Sequence, residues 1–254
     1  MIIAFWSLFP FIGRKSTNML LMAQRLAQKR KEQLLVHAHY EGSGPEYLFL
    51  SGKNREQLLH RSEFGMESLD HMLRCERYDK SLVVNSSYSF QNGYLHILPS
   101  GSEAFCEKTD GNHIGSVLRR ASQDFDNVWV EVPAGISDFS VSVCNYANLV
   151  IFNLSQNPLE LNHLSKFPVF EKELFLIGAY EPRGVYNLHN LQKVYPRLER
   201  KCEAVPYFPE LLEAQSCGNF EQFLSNGMKK ASEYSREAFL LGFERALQMV
   251  EKFL

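Results

Sequence analysis

The chain has 254 residues, of which 45% are hydrophobic and 22% are charged, and its formal net charge is -2. This length and composition suit one large α/β domain and exclude a disordered chain. The small net charge excludes a global basic field that would hold nucleic acid or an anionic membrane. Binding through a local basic patch remains compatible with it.

The first half of the chain alternates strand-like apolar runs with helical patterns. Residues 2–7 predict a buried strand, and the apolar residues of 19–27 recur at a helical spacing directly after it. Further strands are predicted at 34–39 and 93–101, where the second run stops at a Pro-Ser-Gly turn. A helix is predicted at about 113–122.

The second half repeats this alternation. Strands are predicted at 125–135, 148–155, 173–180 and 201–207, with helical stretches between them. The clearest helix is the amphipathic C-terminal one, at about 229–254. We expect its apolar face to pack on the edge of a sheet, and a partner or dimer interface is the alternative.

Strands separated by helices in this rhythm predict right-handed βαβ units. The predicted fold is therefore α/β, with a doubly wound, mostly parallel sheet and helices on both faces, in a single domain over 1–254. Ligands of such sheets bind at the carboxyl ends of the strands, where 8–17, 39–45 and 132–138 are expected to converge.

Neither export nor membrane insertion is indicated. The apolar N-terminal run lacks a basic region and a small-residue cleavage site, and no apolar run reaches the ~20 residues that span a bilayer. The five cysteines are far apart and form no Cys-x-x-Cys pair, so neither zinc nor a disulfide framework is predicted. We expect a cytoplasmic protein with reduced thiols.

Three segments, in chain order, resemble the ParA/MinD family of deviant Walker ATPases. The first, at 10–23, reads PFIGRKSTNMLLMA and is similar to the family's K-G-G-x-G-K-T-T loop, which leads into a helix. The family has a small residue six positions after the last Thr of the loop. Counting back from Ala23 assigns Lys15 to the phosphate lysine, Ser16 to the magnesium-binding hydroxyl and Thr17 to the position beside it.

The second segment, at 125–138, resembles the family's Walker B run, F-D-x-h-h-h-D-x-P-P-G, where h is hydrophobic. Glu131 stands at the position of the family's Asp, and Pro133 and Gly135 match. The strand at 146–161 that follows is similar to the family's A-D-x-V-I-I-P-x-x-P run.

The third segment pairs 174–191 with 202–218, and the latter is similar to the family's late I-P-Y-D-x-x-h-x-x-A-x-x-x-G stretch. The resemblance covers nearly the whole chain. It implies a P-loop NTPase-like fold, ATP or ADP with Mg²⁺ as the ligand, and a dimer that forms face to face around two nucleotides. Within the family, the degenerate loop is similar to those of the CpaE/TadZ-like branch of pilus and secretion systems, which tolerates such loops.

The candidate loop lacks most of the glycines that let backbone N–H groups surround a phosphate. Arg14 replaces the glycine before the phosphate lysine, and Phe11 and Ile12 replace the two earlier ones. Pro10 stands at the family's signature lysine, which reaches the partner's nucleotide, and it brings neither charge nor donor. A register shifted by one residue would make Gly13 the loop glycine and Arg14 the lysine equivalent.

The acids of the family are replaced as well. The family's second strand ends in D-x-D, whereas this sequence has His37 and His39, and imidazoles do not replace carboxylates on Mg²⁺. Glu131 keeps a carboxylate with one extra methylene. We therefore predict a site that turns over ATP hardly or not at all. His37, His39 and Glu41 share one strand parity and could seed a metal site, but satisfied histidines are the preferred interpretation.

The site prediction is accordingly modest. No catalytic residue is predicted, and Mg²⁺ would be held by Ser16 and Glu131 only if a magnesium nucleotide binds. The candidate nucleotide-binding residues are Gly13, Arg14, Lys15, Ser16 and Thr17.

Three functions are weighed. The first is a pseudo-ATPase that acts as a positioning or scaffold protein through a protein partner or a homodimer. The second is a slow ATPase switch in partitioning or polar localisation that uses Lys15, Ser16 and Glu131. The third is a binder of DNA or a membrane surface, for which Arg119 and Arg120 are the minor nucleic-acid candidates.

Overall fold

The apolar runs of the sequence form strands of one sheet in a computed structural model of the chain. The structure describes residues 1–10, 13–39, 44–49, 65–75, 78–217, 220–226, 228 and 232–254. Within these residues, the strands are β1 (Ile2–Ser7), β2 (Gln33–His37), β3 (Tyr88–Phe90), β4 (Leu95–Leu98), β5 (Asn127–Glu131), β6 (Leu149–Leu154), β7 (Glu173–Tyr180) and β8 (Cys202–Pro206).

Helices connect these strands. In the described part of the chain they are α1 (Lys15–Gln28), α2 (Glu46–Phe49), α3 (Met66–Cys75), α4 (Lys80–Asn85), α5 (Glu103–Lys108), α6 (Gly111–Ala121), α7 (Asp138–Tyr146), α8 (Pro158–Leu161), α9 (Leu188–Val194), α10 (Pro209–Ser216), α11 (Phe220–Ser225) and α12 (Glu233–Glu251). None of them combines the length and hydrophobicity needed to cross a membrane.

The sheet has the order β3-β4-β2-β5-β1-β6-β7-β8. Every neighbouring pair is parallel except β3 and β4, which run antiparallel. This confirms the prediction of a doubly wound, mostly parallel sheet in one domain. The carboxyl ends of β5, β1 and β6 lie side by side, so the segments that follow them meet at one edge of the sheet.

The sheet is buried on both faces, as its apolar runs predict. Alternate residues of β1 divide between the two sides: Ala4 and Trp6 belong to the core that α6 and α7 cover, and Ile3 and Phe5 to the core that α1 and α12 cover. Trp6 is fully buried and stacks on Phe152 with the ring centroids 5.4 Å apart. Each such side chain contributes about 1.5–3 kcal/mol of hydrophobic stabilisation.

Several predicted boundaries are too long. The run at 34–39 ends as a strand at His37, and the run at 93–101 is a strand only over Leu95–Leu98. The strand Tyr88–Phe90, absent from the sequence prediction, pairs antiparallel with Leu95–Leu98 at the sheet edge. Three residues are too few for an alternating pattern to emerge, which explains the omission.

The C-terminal helix is packed as the preferred interpretation of its apolar face predicts. Its N-terminus is capped by the Ser232 hydroxyl, which accepts a hydrogen bond from the Ser235 amide. Phe239, Phe243 and Leu247 are buried against the sheet, with at most 5% of their surface exposed. The alternative use of this apolar face as a dimer interface is therefore wrong, because the sheet already covers it.

The helix itself covers Glu233–Glu251, so the predicted span of about 229–254 was too long at its C-terminal end. Residues 229–231 lie outside the described part of the chain, as do Phe11, Ile12 and Glu41. The predictions on those residues stay predictions.

Candidate nucleotide-binding site

In the turn between β1 and α1, a residue other than glycine adopts the left-handed backbone conformation that glycine favours. Gly13 has φ 71°, and the next residue, Arg14, has φ 53° and caps α1 in the left-handed conformation. A non-glycine residue in that region costs roughly 1–2 kcal/mol. The left-handed conformation is thus retained at the position where the resemblance places a glycine, but the residue there is Arg14, with a long, positively charged side chain.

The turn is fixed against the ends of β6 and β7. A Cβ at Gly13 would lie 2.9 Å from the carbonyl carbon of Asn153, and one at Gly178 would lie 1.9 Å from the Gly13 oxygen. The Asn18 amide donates hydrogen bonds to the Gly13 oxygen, at 3.0 Å, and to Oδ1 of Asn153, at 3.1 Å. The sequence analysis did not predict that Asn18, Asn153 and Gly178 contact this turn. A glycine inside a strand run was the signal available, because it marks a close backbone approach.

The structure brings together the three residues predicted to form the phosphate and magnesium site. The Ser16 hydroxyl donates a 2.6 Å hydrogen bond to Oε1 of Glu131. The Lys15 ammonium lies 3.5 Å from the same oxygen and also donates to the carbonyl of Val132. The Lys15 and Glu131 side chains are only 9% and 3% exposed. These groups therefore form a buried polar cluster at the junction of α1 and β5.

The remaining loop residues face elements on the β8 side. Thr17 is buried, and its Oγ1 accepts a 2.9 Å hydrogen bond from the Gln215 amide of α10. The Arg14 guanidinium lies over the Tyr207 ring, 5.4 Å from its centroid, and burial lowers the pKa of Arg14. The five candidate nucleotide-binding residues therefore follow one another along this turn and the first turn of α1. Lys15 and Ser16 share Glu131 as a partner, whereas Arg14 and Thr17 contact Tyr207 and Gln215.

Phe9, before the turn, is 37% exposed, and its ring contacts His163 with the centroids 5.6 Å apart. It therefore contributes to an exposed apolar surface. Exposed apolar side chains also follow the neighbouring strands β5 and β6, at Ile136 and Leu159. The carboxyl edge of the sheet thus combines the polar cluster with apolar surface.

His37, at the end of β2, is held by an acid that the sequence analysis did not predict. His37 and Glu46 are both 1% exposed, and the imidazole Nδ1 donates to the Glu46 carboxylate at 2.8 Å. Burial disfavours the imidazolium, but the carboxylates of Glu46 and Glu131 outweigh it and raise the pKa of His37. His39 lies past the strand end, with its ring 4.5 Å from that of His37. Glu46 begins the short helix α2, and the sequence around it carries no motif that predicts this contact.

No group of three or more potential ligands for a metal ion occurs among the described residues. Residues that could hold a magnesium nucleotide are nevertheless present. The 14-residue helix α1 presents its N-terminus at the turn, which suits an anion, beside the Lys15 ammonium. Oε2 of Glu131 is buried without a hydrogen-bond partner in the described part of the structure, and with the Ser16 hydroxyl it offers Mg²⁺ hard oxygen ligands. The site fits the binding of such a group.

A parallel sheet whose inner strand leads through a tight turn into a helix beginning Lys-Ser-Thr, with an acid at the end of the neighbouring strand, defines the P-loop NTPase architecture. The fold is that of the ParA/MinD ATPases. Solved structures support this, although no protein-family model matches the sequence and no curated protein matches it either.

Three solved structures show the likeness. A ParA family ATPase from Chlorobium tepidum TLS is 15% identical, with a TM-score of 0.71 over 94% of this chain and 95% of that one. The septum site-determining protein MinD from Pyrococcus horikoshii, complexed with Mg-ADP, is 15% identical, with a TM-score of 0.67 over 100% and 98%. The MinC:MinD cell division protein complex from Aquifex aeolicus is 15% identical, with a TM-score of 0.68 over 97% of this chain and 96% of that one. Likeness at such low identity shows a common fold.

Proposed function

We propose that the chain is a ParA/MinD-like protein with a degenerate nucleotide site, which acts in the cytoplasm as a non-hydrolysing positioning or scaffold protein. It works through contacts with a protein partner or a second copy, in the manner of the CpaE/TadZ-like branch. The observation that carries the proposal is the His37–Glu46 pair. The buried His37 imidazole is hydrogen-bonded to the Glu46 carboxylate. It stands where the resemblance requires an aspartate that positions magnesium and water.

Phosphoryl transfer depends on positioning and on neutralising charge, with little covalent chemistry left to the protein. At the end of β2, the chain offers imidazoles at His37 and His39 in place of carboxylates. Histidine is a poor ligand for Mg²⁺, which prefers oxygen, and His37 already donates its Nδ1 proton to Glu46. This side of the site therefore lacks the carboxylates that the resemblance assigns to positioning magnesium and the attacking water.

The Lys15 contacts support the same conclusion. Its ammonium lies in a buried cluster with Glu131 and the carbonyl of Val132. A phosphate group that enters would have to draw this ammonium away from both oxygens. The substitution of Arg14 for glycine adds a side chain at the point of closest approach to a phosphate.

A slow ATPase switch is the second candidate function, and the Lys15–Ser16–Glu131 cluster favours it. The three side chains lie within hydrogen-bonding or ion-pairing distance, as a magnesium-nucleotide site requires. When bound, Mg²⁺ would supply a hard cation that neutralises phosphate charge. Binding without turnover is compatible with the first proposal, so only turnover separates the two.

Titration calorimetry with ATP and with ADP, in the presence and absence of Mg²⁺, tests the proposal when the recovered nucleotide is analysed afterwards. We expect any nucleotide that binds to be recovered unhydrolysed, and its affinity to fall in Lys15→Ala. Lys29→Ala is the matched control, since Lys29 lies just past the other end of α1 in an exposed ion pair with Glu251. Recovery of ADP from bound ATP, lost in Lys15→Ala and kept in Lys29→Ala, would favour the slow switch.

The partner half of the proposal rests on the carboxyl edge of the sheet and on the likeness to a MinC:MinD complex. The exposed side chains of Phe9, Ile136 and Leu159 give that edge the apolar surface that a protein interface needs. Replacing Phe9 and Leu159 by serine should weaken recovery of a partner from cell extract. Val194→Ser is the control, because it lies on α9, away from this edge, and is 57% exposed.

A further inference from the structure

A serine and a histidine outside the nucleotide-binding site form a hydrogen-bonded pair at the edge of the sheet. Ser89 lies on β3, the outermost strand, directly opposite His96 of β4 in the antiparallel register. The Ser89 hydroxyl oxygen and Nδ1 of His96 are 2.9 Å apart. Because residues directly opposite each other on antiparallel strands share one face of the sheet, the strand pairing itself positions the two side chains.

The tautomer of His96 follows from its second contact. Nε2 lies 2.9 Å from the carbonyl oxygen of Gly93, which can only accept a hydrogen bond. Nε2 therefore carries the proton of the neutral ring, and Nδ1 accepts the hydrogen bond that the Ser89 hydroxyl donates. A serine that donates to an imidazole, which a third group orients in turn, is the arrangement that activates a nucleophilic serine.

The surroundings keep His96 neutral. Burial lowers the pKa of His96, since only 4% of the residue is exposed, and the Lys80 ammonium lowers it further. The Gly93 carbonyl and the Glu32 carboxylate act in the opposite direction without reversing the shift. The ring of Phe125 packs against the imidazole with the centroids 5.5 Å apart. At neutral pH, His96 is therefore a fixed, unprotonated base.

The Ser89 hydroxyl is accessible and differs from its neighbours in its partner. Ser89 is exposed to solvent, so a reagent reaches its oxygen without entering a cavity. Ser86 and Ser87, a few residues earlier, donate to carbonyl oxygens of α4. A carbonyl oxygen does not take up a proton, whereas an imidazole does. Ser89 thus combines exposure with contact to a base.

We propose that Ser89 is a nucleophile for small activated acyl groups, such as those of carboxylic esters, with His96 as its general base. The Ser89 oxygen bonds to the acyl carbon, the hydroxyl proton passes to Nδ1 of His96, and the leaving alkoxide takes this proton as its bond to the acyl carbon breaks. Water then attacks the acyl group with the help of the same base, which releases the carboxylic acid and restores Ser89.

The charges around the pair favour an acyl donor over a phosphoryl donor. An ester carbonyl is neutral, whereas a phosphoryl group brings negative charge that must be neutralised. The ammonium of Lys80, which acts on His96, is already paired with Glu32. The Ser89–His96 pair is separate from the Lys15–Ser16–Glu131 cluster, and the proposal does not depend on the proposed function.

Reaction of the full chain with p-nitrophenyl acetate, followed by peptide mapping, tests the proposal. We expect acetylation of Ser89 with a matching burst of p-nitrophenolate. H96Q keeps a hydrogen-bonding side chain but takes up no proton, so acetylation of Ser89 should slow about 100-fold, at the low end for general-base catalysis. H189Q, which removes an exposed imidazole on α9, is the matched control and should react as the wild type does. Equal acetylation of Ser89 in H96Q and H189Q, or acetylation of Lys80 in place of Ser89, would overturn the proposal.

The pH profile of the wild type keeps the test independent of whether H96Q folds, which circular dichroism reports. Neutral His96 is the reactive form, so acetylation of Ser89 should reach its plateau below the ordinary histidine pKa of about 6.5 and stay level at higher pH. Ser216, an exposed serine that donates to the Leu212 carbonyl at 3.0 Å, has a rate that depends on its alkoxide and should keep rising with pH. A Ser89 rate that rises in parallel with that of Ser216 would overturn the proposal.

Discussion

The Ser16 hydroxyl donates a 2.6 Å hydrogen bond to Oε1 of Glu131, and this contact joins the first turn of α1 to the end of β5. The same oxygen lies 3.5 Å from the Lys15 ammonium. The three groups that would bind a magnesium nucleotide therefore already satisfy one another in part. A ligand must compete with these contacts.

The loop position depends on a close backbone contact at Gly178. A Cβ there would lie 1.9 Å from the Gly13 oxygen, so Gly178→Ala must displace either the turn or β7. We expect a loss of about 1–3 kcal/mol in the free energy of unfolding, measured by urea denaturation. Gly184→Ala is the control, since its nearest contact would be an ordinary 3.4 Å. Equal stability of the two variants would contradict the packing described here.

Arg197 holds the segment before β7 through a buried network. Its guanidinium donates to both oxygens of Glu173, at 3.2 and 2.7 Å, and to three backbone carbonyls within 164–168. Arg197→Met leaves the Glu173 carboxylate, 1% exposed, without its main partner. We expect a loss of about 3–5 kcal/mol by urea denaturation.

The control for that variant is Arg200→Met. Arg200 is 91% exposed and lies 3.6 Å from Glu199. An exposed ion pair of this kind contributes at most about 1 kcal/mol. A loss for Arg197→Met no larger than for Arg200→Met would show that the buried network adds nothing.

Glu160 gives stability a pH dependence. It is fully buried, and desolvation raises its pKa although Ser155 donates two hydrogen bonds to Oε2. A raised pKa means that the folded state disfavours the ionised form, so ionised Glu160 destabilises the fold at neutral pH. Protonation removes this penalty as the pH falls through the folded pKa towards the ordinary value of about 4.3.

Glu160→Gln should therefore stabilise the protein at pH 7, and the gain should vanish below about pH 4, where Glu160 is protonated in both states. Thermal unfolding of the wild type and the variant across this pH range measures it. Glu199→Gln, on a side chain that is 65% exposed, should show no such trend. A gain that persists at low pH would point to packing in place of ionisation.

The sequence was sufficient for the main features of the fold because they depend on local apolar patterns. The strands Ile2–Ser7 and Glu173–Tyr180 coincide with their predictions, since both are continuous buried runs. The strand Tyr88–Phe90 and the helices Met66–Cys75 and Lys80–Asn85 were missed. Tyr88–Phe90 and Lys80–Asn85 have only three and six residues, so tertiary contacts decide them more than the local pattern does. The ten-residue helix Met66–Cys75 is amphipathic, and its pattern was overlooked.

For the site, the sequence was sufficient to place Lys15, Ser16 and Glu131 together, because parallel strands bring their carboxyl ends to one edge. The contacts of Asn18 and Glu46 could not be predicted in the same way. They join residues through side-chain packing, and neither position carries a periodic or motif signal.

Self-association should not respond to nucleotide. The signature lysine that bridges the family's dimer is Pro10 here, and the C-terminal apolar face is buried at Phe239 and Phe243. Sedimentation velocity at several concentrations should therefore give the same distribution with and without Mg-ATP. Any dimer would use the exposed edge that includes Phe9, with on the order of 1,000 Å² buried, and Phe9→Ser should weaken it. A monomer that dimerises only with Mg-ATP would contradict this.

Release of phosphate from ATP tests the central claim most directly. We expect fewer than about one turnover per hour at 25 °C, which corresponds to a barrier of at least about 22 kcal/mol. The residual rate should be unchanged in Lys15→Ala, because His37 and His39 stand in place of the carboxylates that would position magnesium and water. Sustained phosphate release by the wild type that disappears in Lys15→Ala would contradict the account and show that the protein is an active ATPase.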